Sequence, residues 1–346
     1  MSFTLKDLKK LVDSGELTNT SIAEAIYNQV VQLMNQTYTA IAYKYAKSRL
    51  INNRFLPQAV RQDIDSLITT LNRKIEDVLT KGVIQSWHLS EEKNHIIEAN
   101  VAGGGVKPPV KTTLTVPASP DFNMITTKFG GGSTKALKAF VDGDSTNYSL
   151  SKRIFKQSPY FKKYINDTLV DAIKNGTSAR DSAKMLMNAE YRPKNTNDPR
   201  GQGQGIYKDP KKNAERVTRT TINESYRTAD YNRWQTQWFV VGIKVQLAHS
   251  QRKYDVCDVM KGVYPKDFKF TGWHVQCMCF STPILAPQEI RDQKLEYDLG
   301  NRKELPNVDY VKDIPASAKA WVAANSTRIG GWKNKPNFLL DNAEYF

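Results

Sequence analysis

A chain of 346 residues with 50 Lys and Arg against 35 Asp and Glu carries a formal charge of +15, and 40% of its residues are hydrophobic. That length suits two domains, or one domain with helical additions, and the composition is that of an ordinary folded chain. No apolar run approaches the ~20 residues of a membrane span, which leads us to expect no membrane partner. The first residues lack the apolar core of a secretion signal, so synthesis and work in a cytoplasm are expected. Three cysteines in so long a chain suit a reducing compartment and argue against a disulfide framework.

The charge favours a polyanion, most commonly nucleic acid; the plain alternative is a basic protein with no such partner. There is no RNA-binding aromatic signature, zinc-finger repeat or basic zipper, which speaks against base reading. Contact with the phosphates of double-stranded DNA is the economical expectation.

In chain order, residues 4–12 read as a short helix capped through Thr4 and Asp7 and ended by Ser14-Gly15. Ser21 and Glu24 have capping-box spacing, and Ile22, Ile26, Val30, Leu33 and Ile41 follow at helical intervals, predicting a helix over 20–52. Pro57 suits the first turn of a second helix, striped by Val60, Ile64, Leu67, Leu71, Ile75 and Val78. Two such stripes joined so closely imply an antiparallel hairpin. Beyond Gly82 a third helix is expected to end near residue 99, with His88 and His95 as packing or surface histidines.

Over 101–135 the glycine triplets 103–105 and 130–132 and Pro108-Pro109 predict a flexible loop, or an arm reaching a neighbouring subunit. No Gly-Lys-Ser/Thr leads into a helix there, so it is not a phosphate cradle. Helices are expected again around Leu137 and Phe140 and over 150–174. Asn175-Gly176 stops the second of these, and Ser178 with Asp181 opens the next.

Residues 192–212 form a basic loop or finger, and a helix over 214–238 follows. That helix places Arg216, Arg219, Asn223 and Arg227 near one side and Ile222, Tyr226 and Ala229 on another. Lys208, Lys211, Lys212, Arg216, Arg219 and Arg227 are therefore the candidate phosphate-facing patch, against the plainer reading of a solvated face. Near the end, Pro315 and Ser317 introduce a short helix, and the tail 332–346 docks on a partner or back on the core.

All three cysteines fall within 23 residues. Ile243, Val245 and Leu247 alternate with Lys244, Gln246 and Ala248, predicting a strand over 242–248. Residues 277–283 alternate too, so an antiparallel pair would clamp the intervening segment, with His274, Cys277 and Cys279 on the closing strand. Cys257, His274, Cys277 and Cys279 are a donor set for one structural zinc ion. Against this, a Cys-x-Cys pair on a regular strand separates its sulfurs by roughly 6 to 7 Å. The competing reading is three buried reduced thiols beside a structural histidine.

The run from His249 through Cys257 and Met260, followed by Gly272-Trp-His-Val-Gln-Cys-Met-Cys279 and Pro283, resembles the phage Mu F-like head morphogenesis domain, a family that includes the SPP1-type minor capsid proteins. The order of upstream segments, 150–154, 173–181 and 216–226, is similar to that family's helices, and the resemblance covers about 148–285. Met260 stands where the family tends to have a second cysteine, Val275 replaces a proline and Met278 an arginine.

The resulting expectation is an α+β, mostly helical chain. A helical hairpin occupies 1–100, a Gly/Pro-rich loop 101–135, the head morphogenesis domain with its small antiparallel β module 136–286, and an extension 287–346. The resemblance implies a structural minor capsid protein of a tailed bacteriophage, working in the virion interior near the portal and in the host cytoplasm during assembly. Its implied partners are the portal protein, major capsid or scaffold proteins, and DNA, in packaging or ejection. No catalytic constellation is evident. The alternative is a metal-dependent nuclease using His249, His274 and Asp255 or Asp258.

Overall fold

The structure, a computed structural model, describes residues 4–52, 54–102, 121–143, 158–188, 210–248, 254–332 and 335–346. Lys208, His249, the glycine triplet 103–105, the segment 150–154 and most of the basic stretch 192–212 lie outside those residues. The described chain is mostly helical, with one small antiparallel sheet towards the C-terminal end. No helix among the described residues is long and apolar enough to cross a membrane.

Two helices dominate, α1 (Leu5–Tyr45) and α2 (Gln58–Val101). They are followed by α3 (Phe122–Phe129), α4 (Gly131–Asp142), α5 (Ser158–Lys174), α6 (Ala179–Met187) and α7 (Pro210–Thr236). The remaining elements are β1 (Val240–Gln246), α8 (Val256–Met260), β2 (Gly262–Tyr264), β3 (Phe280–Leu285), α9 (Gln288–Asp298), α10 (Ala316–Ala324), α11 (Ser326–Gly330) and α12 (Asn337–Leu340).

The chain forms two compact units. One comprises Ala23–Gly82 and Tyr148–Arg219, the other Met1–Ile22, Val83–Asn147 and Thr220–Phe346. In the first, Ile26, Val30, Met34, Tyr38 and Ile41 of α1 and Ile64, Ile68, Leu71, Ile75 and Leu79 of α2 are buried stripes at helical spacing. Lys44 and the Tyr45 hydroxyl both reach Asp63, which fixes the antiparallel sense. In the second unit, Ser86 of α2 donates to Asn19 of α1 at 2.5 Å, in the same sense. The predicted cap of α6 is present: Ser178 Oγ accepts from the Asp181 backbone N–H at 3.1 Å.

Three predicted boundaries are absent. Helix α1 runs through Ser14-Gly15, because a buried neighbour, not a turn, requires that glycine. A Cβ at Gly15 would lie 2.3 Å from the Tyr226 hydroxyl. Helix α2 runs through Gly82: from Val83 to Asn94 almost every side chain is buried, and such packing outweighs glycine's helix cost of about 1 kcal/mol. The expected loop is helical from Phe122, and Gly131 and Gly132 open α4 instead of joining a loop. His88 is buried edge-on against Phe129, and His95 is exposed.

The sheet has the order β2-β1-β3, both pairs antiparallel, with Val245 opposite Gly262 and Ser281. Its strands share a core with Leu8, Leu11 and Val12 of α1, Leu89 and Ile97 of α2, Tyr226 and Trp234 of α7, and a knot of Tyr264, Phe268, Phe270 and Trp273. The tail docks back on this core. Phe338 meets Trp273 edge-on at 5.3 Å between ring centres. Asn342 accepts from the Lys269 backbone N–H at 2.6 Å and donates to the Lys269 carbonyl at 3.1 Å.

Candidate metal centre

Two segments bring the thiols together. The first is α8, whose N-terminus is locked by a capping box. Asp255 accepts from the Cys257 backbone N–H at 2.8 Å, and Asp258 accepts from the Asp255 backbone N–H at 3.0 Å. Cys257 is thereby held on the first turn, facing inward. The second segment is the turn before β3. The strand itself begins only at Phe280, so His274, Cys277 and Cys279 do not lie on it as predicted. Gln276 adopts φ +57° and the Cys277 backbone N–H donates to the His274 carbonyl at 3.2 Å, a tight turn that departs from strand geometry. The separation of roughly 6 to 7 Å expected on a regular strand therefore does not apply.

The Sγ atoms of Cys257, Cys277 and Cys279 lie within 4.8 Å of one another. Cys257 Sγ is 3.9 Å from Cys277 Sγ and 3.1 Å from His274 Nε2. With Zn–S bonds near 2.3 Å, the sulfurs around a tetrahedral zinc are about 3.8 Å apart, so the thiol spacing fits. His274 Nδ1 sits 2.7 Å from the Val275 carbonyl. Donation there leaves the Nε2 lone pair facing Cys257, the tautomer that a metal-binding histidine needs. Cys257, Cys277, Cys279 and His274 thus lie close enough to hold a metal ion. Asp255, Cys257 and His274 form an overlapping second trio.

All three cysteines are at most 2% exposed, whereas the His274 ring reaches solvent. Hydrogen bonds from Cys257 and Cys279, helped by the Arg227 charge, hold the Cys277 thiol well below the usual thiol range. Cys257 is raised, chiefly by its contacts with Cys277 and then Cys279. Cys279 is drawn down by Cys257 but is pushed up to about 12 by Cys277 and by burial.

Helix α7 grips the cysteine turn from behind. The Arg227 guanidinium donates to the carbonyls of Thr271 at 2.9 Å, Cys277 at 2.7 Å and Cys279 at 2.5 Å. Asn223 adds a bond to the Cys277 carbonyl at 3.2 Å, and Thr220 accepts from the Gln276 N–H at 3.0 Å. Gly272, at φ +127°, passes so close that a Cβ would lie 2.8 Å from Arg227 Nη1. Any larger residue would be strained there and would also push the guanidinium away.

This arrangement corrects the phosphate-facing patch. Arg227 is 5% exposed and Asn223 8%, so both face the cysteine turn and not solvent. Arg219 pairs with Glu215 at 3.3 Å, Arg216 and Lys211 are half-buried, and Lys212 is exposed.

A second buried polar group stands behind Arg227. Lys93 and Asp230 form an ion pair at 2.6 Å with both side chains at most 1% exposed. Asp230 also accepts from Ser90 at 2.6 Å and Asn94 at 2.7 Å, and Asn94 accepts from the Trp234 indole at 2.7 Å. The Lys93 ammonium lies 4.4 Å from the centre of the Tyr226 ring. Such a pair is tolerated because both carboxylate oxygens find donors, Ser90 and Asn94 on one and Lys93 on the other. Sequence reasoning missed this group, although Ser90, Lys93 and Asn94 at i, i+3 and i+4 mark one polar face of α2.

Asp255 and Asp258, the carboxylates a nuclease would use, are engaged in capping α8. Comparison of the chain with family models, with curated proteins and with solved structures found no match.

Proposed function

We propose that this chain is a structural minor capsid protein of the head morphogenesis type, acting in a tailed phage head near the portal, with a zinc ion bracing its cysteine module. One observation carries the reading: Cys257 and the run from Gly272 to Cys279, two of the pieces on which the resemblance rests, meet at a buried thiol site whose backbone is tied down by Arg227. Buried sulfur donors around one ion, backed by a guanidinium bonded to three backbone carbonyls, suit a structural metal and not an open catalytic one. Cys257, Cys277, Cys279 and His274 would hold the zinc, and its contribution when bound is to cross-link α8 to the turn before β3. Arg227 and Asn223 orient the carbonyls of that turn, and the aromatic knot excludes water from beneath it.

The partners in this reading are the portal protein, major capsid or scaffold proteins, and double-stranded DNA met through phosphates. DNA contact draws on the net charge and on Lys208, Lys211, Lys212, Arg216 and Arg219, with Arg227 removed from the set. Co-expression with portal and capsid proteins tests the role: the chain should co-sediment with assembled heads, and recovery only in the unassembled fraction would refute it. Its affinity for plasmid DNA should fall steeply with salt, and the plasmid should remain intact with magnesium or manganese.

A further inference from the structure

The turn between α1 and α2 has a chemistry that the capsid reading does not use. Ile51 and Phe55 exchange backbone hydrogen bonds, Ile51 N–H to the Phe55 carbonyl at 2.7 Å and Phe55 N–H to the Ile51 carbonyl at 3.1 Å. Asn52, at φ +50°, helps close the loop between them. A hydrogen-bonded antiparallel pair carries its two side chains on the same side. Leu56, 1% exposed, anchors the turn, yet Ile51 is 48% and Phe55 61% exposed. Flanking this apolar pair in the sequence, Lys47, Arg49, Arg54 and Arg61 are all exposed. The one carboxylate between residues 43 and 63 is Asp63, which Lys44 and the Tyr45 hydroxyl already hold.

We propose that this tip docks on an anionic phospholipid bilayer, with Ile51 and Phe55 entering the boundary between headgroups and acyl chains and the surrounding cations resting on lipid phosphates. Three features select a bilayer. Cations without neighbouring acids are attracted to an anionic leaflet, and exposed apolar side chains add the second, hydrophobic signal that stable attachment needs. The bridge also satisfies the N–H and C=O of both inserting residues, as entry into an apolar phase demands. A surface shaped for DNA phosphates alone gains nothing from an exposed Ile and Phe held side by side. A narrow convex turn also offers little of the roughly 800 Å² per partner that a stable protein interface buries. The lack of an apolar run long enough to span a bilayer, which suggested no membrane partner, does not bear on attachment to a membrane surface.

The test is sedimentation of the full chain with vesicles of phosphatidylcholine alone and of phosphatidylcholine mixed with phosphatidylglycerol. Binding is expected to the mixed vesicles only and to weaken with salt. Arg49→Ala and Arg54→Ala should each lower affinity by roughly fivefold. The Ile51→Ser, Phe55→Ser double variant, at exposed positions and with an unchanged circular dichroism spectrum, should lower it by about tenfold or more. Failure to bind mixed vesicles would overturn the proposal. So would a double variant that binds them as well as the parent, with the cation variants alone losing affinity for vesicles and plasmid DNA alike, because the tip would then be a phosphate contact for nucleic acid.

Discussion

Replacing Arg227 by methionine removes three charge-assisted hydrogen bonds, to the carbonyls of Thr271, Cys277 and Cys279, while keeping an unbranched apolar stem. At about 1.5 kcal/mol net for each bond to a charged group, the loss approaches 4.5 kcal/mol. Relief from desolvating a guanidinium, and the Asn223 bond that still serves the Cys277 carbonyl, reduce this to about 3 kcal/mol. At roughly 2 °C per kcal/mol in a chain of this size, the melting temperature should drop by about 6 °C. Arg227→Lys should recover only part of the loss, because an ammonium lacks the planar fork that reaches three carbonyls. Thermal and urea unfolding followed by circular dichroism measure the effect, and metal content by mass spectrometry should fall alongside it. If Arg227→Met unfolds within 1 °C of the parent and keeps its metal, the claim that Arg227 organises the cysteine turn is wrong.

Mass spectrometry of the parent should find about one zinc per chain, and Cys277→Ser should remove it; a Ser variant with full zinc content and unchanged stability would eliminate the site. Gly15→Ala, ordinarily stabilising in a helix, should here cost roughly 1 to 3 kcal/mol, because its Cβ meets the Tyr226 hydroxyl at 2.3 Å. Adding Tyr226→Phe should restore stability, since that buried hydroxyl has no hydrogen-bond partner to lose. Desolvation, opposed by Lys93 and Arg227, pushes the Glu16 carboxyl from 4.5 up to about 7. The folded state then holds a proton that the unfolded chain releases, so Glu16's contribution to stability is full below pH 4.5 and is lost as pH rises through about 7. Glu16→Gln should flatten the urea-midpoint profile across that window, and an unchanged slope would place the titration elsewhere.

What was legible in the sequence was local. The Ser178–Asp181 cap joins residues three apart, and the alternation Ile243, Val245 survives in β1, although that strand starts two residues earlier than predicted, at Val240. The buried stripes of α1 and α2 needed only helical periodicity. What failed depended on partners distant in sequence. Gly15 looks like a helix stop until Tyr226, 211 positions on, is seen to need the space. Arg227 has the sequence context of a surface cation, because the carbonyls it bonds lie 44 to 52 residues away and carbonyls leave no mark on sequence. The Cys-x-Cys spacing misled for a different reason: it was judged on ideal strand geometry, and one positive-φ residue, Gln276, precedes the pair instead.

The Lys93–Asp230 pair determines how the cysteine module can be handled. Asp230 belongs to the helix that grips the thiols, but its counter-cation and two of its donors come from α2, more than 130 residues upstream. An excised piece spanning only residues 210–290 would carry an aspartate shaped for burial with nothing to neutralise it. The same remoteness means that the nascent chain completes the module late, after α2 has been waiting for α7 to emerge.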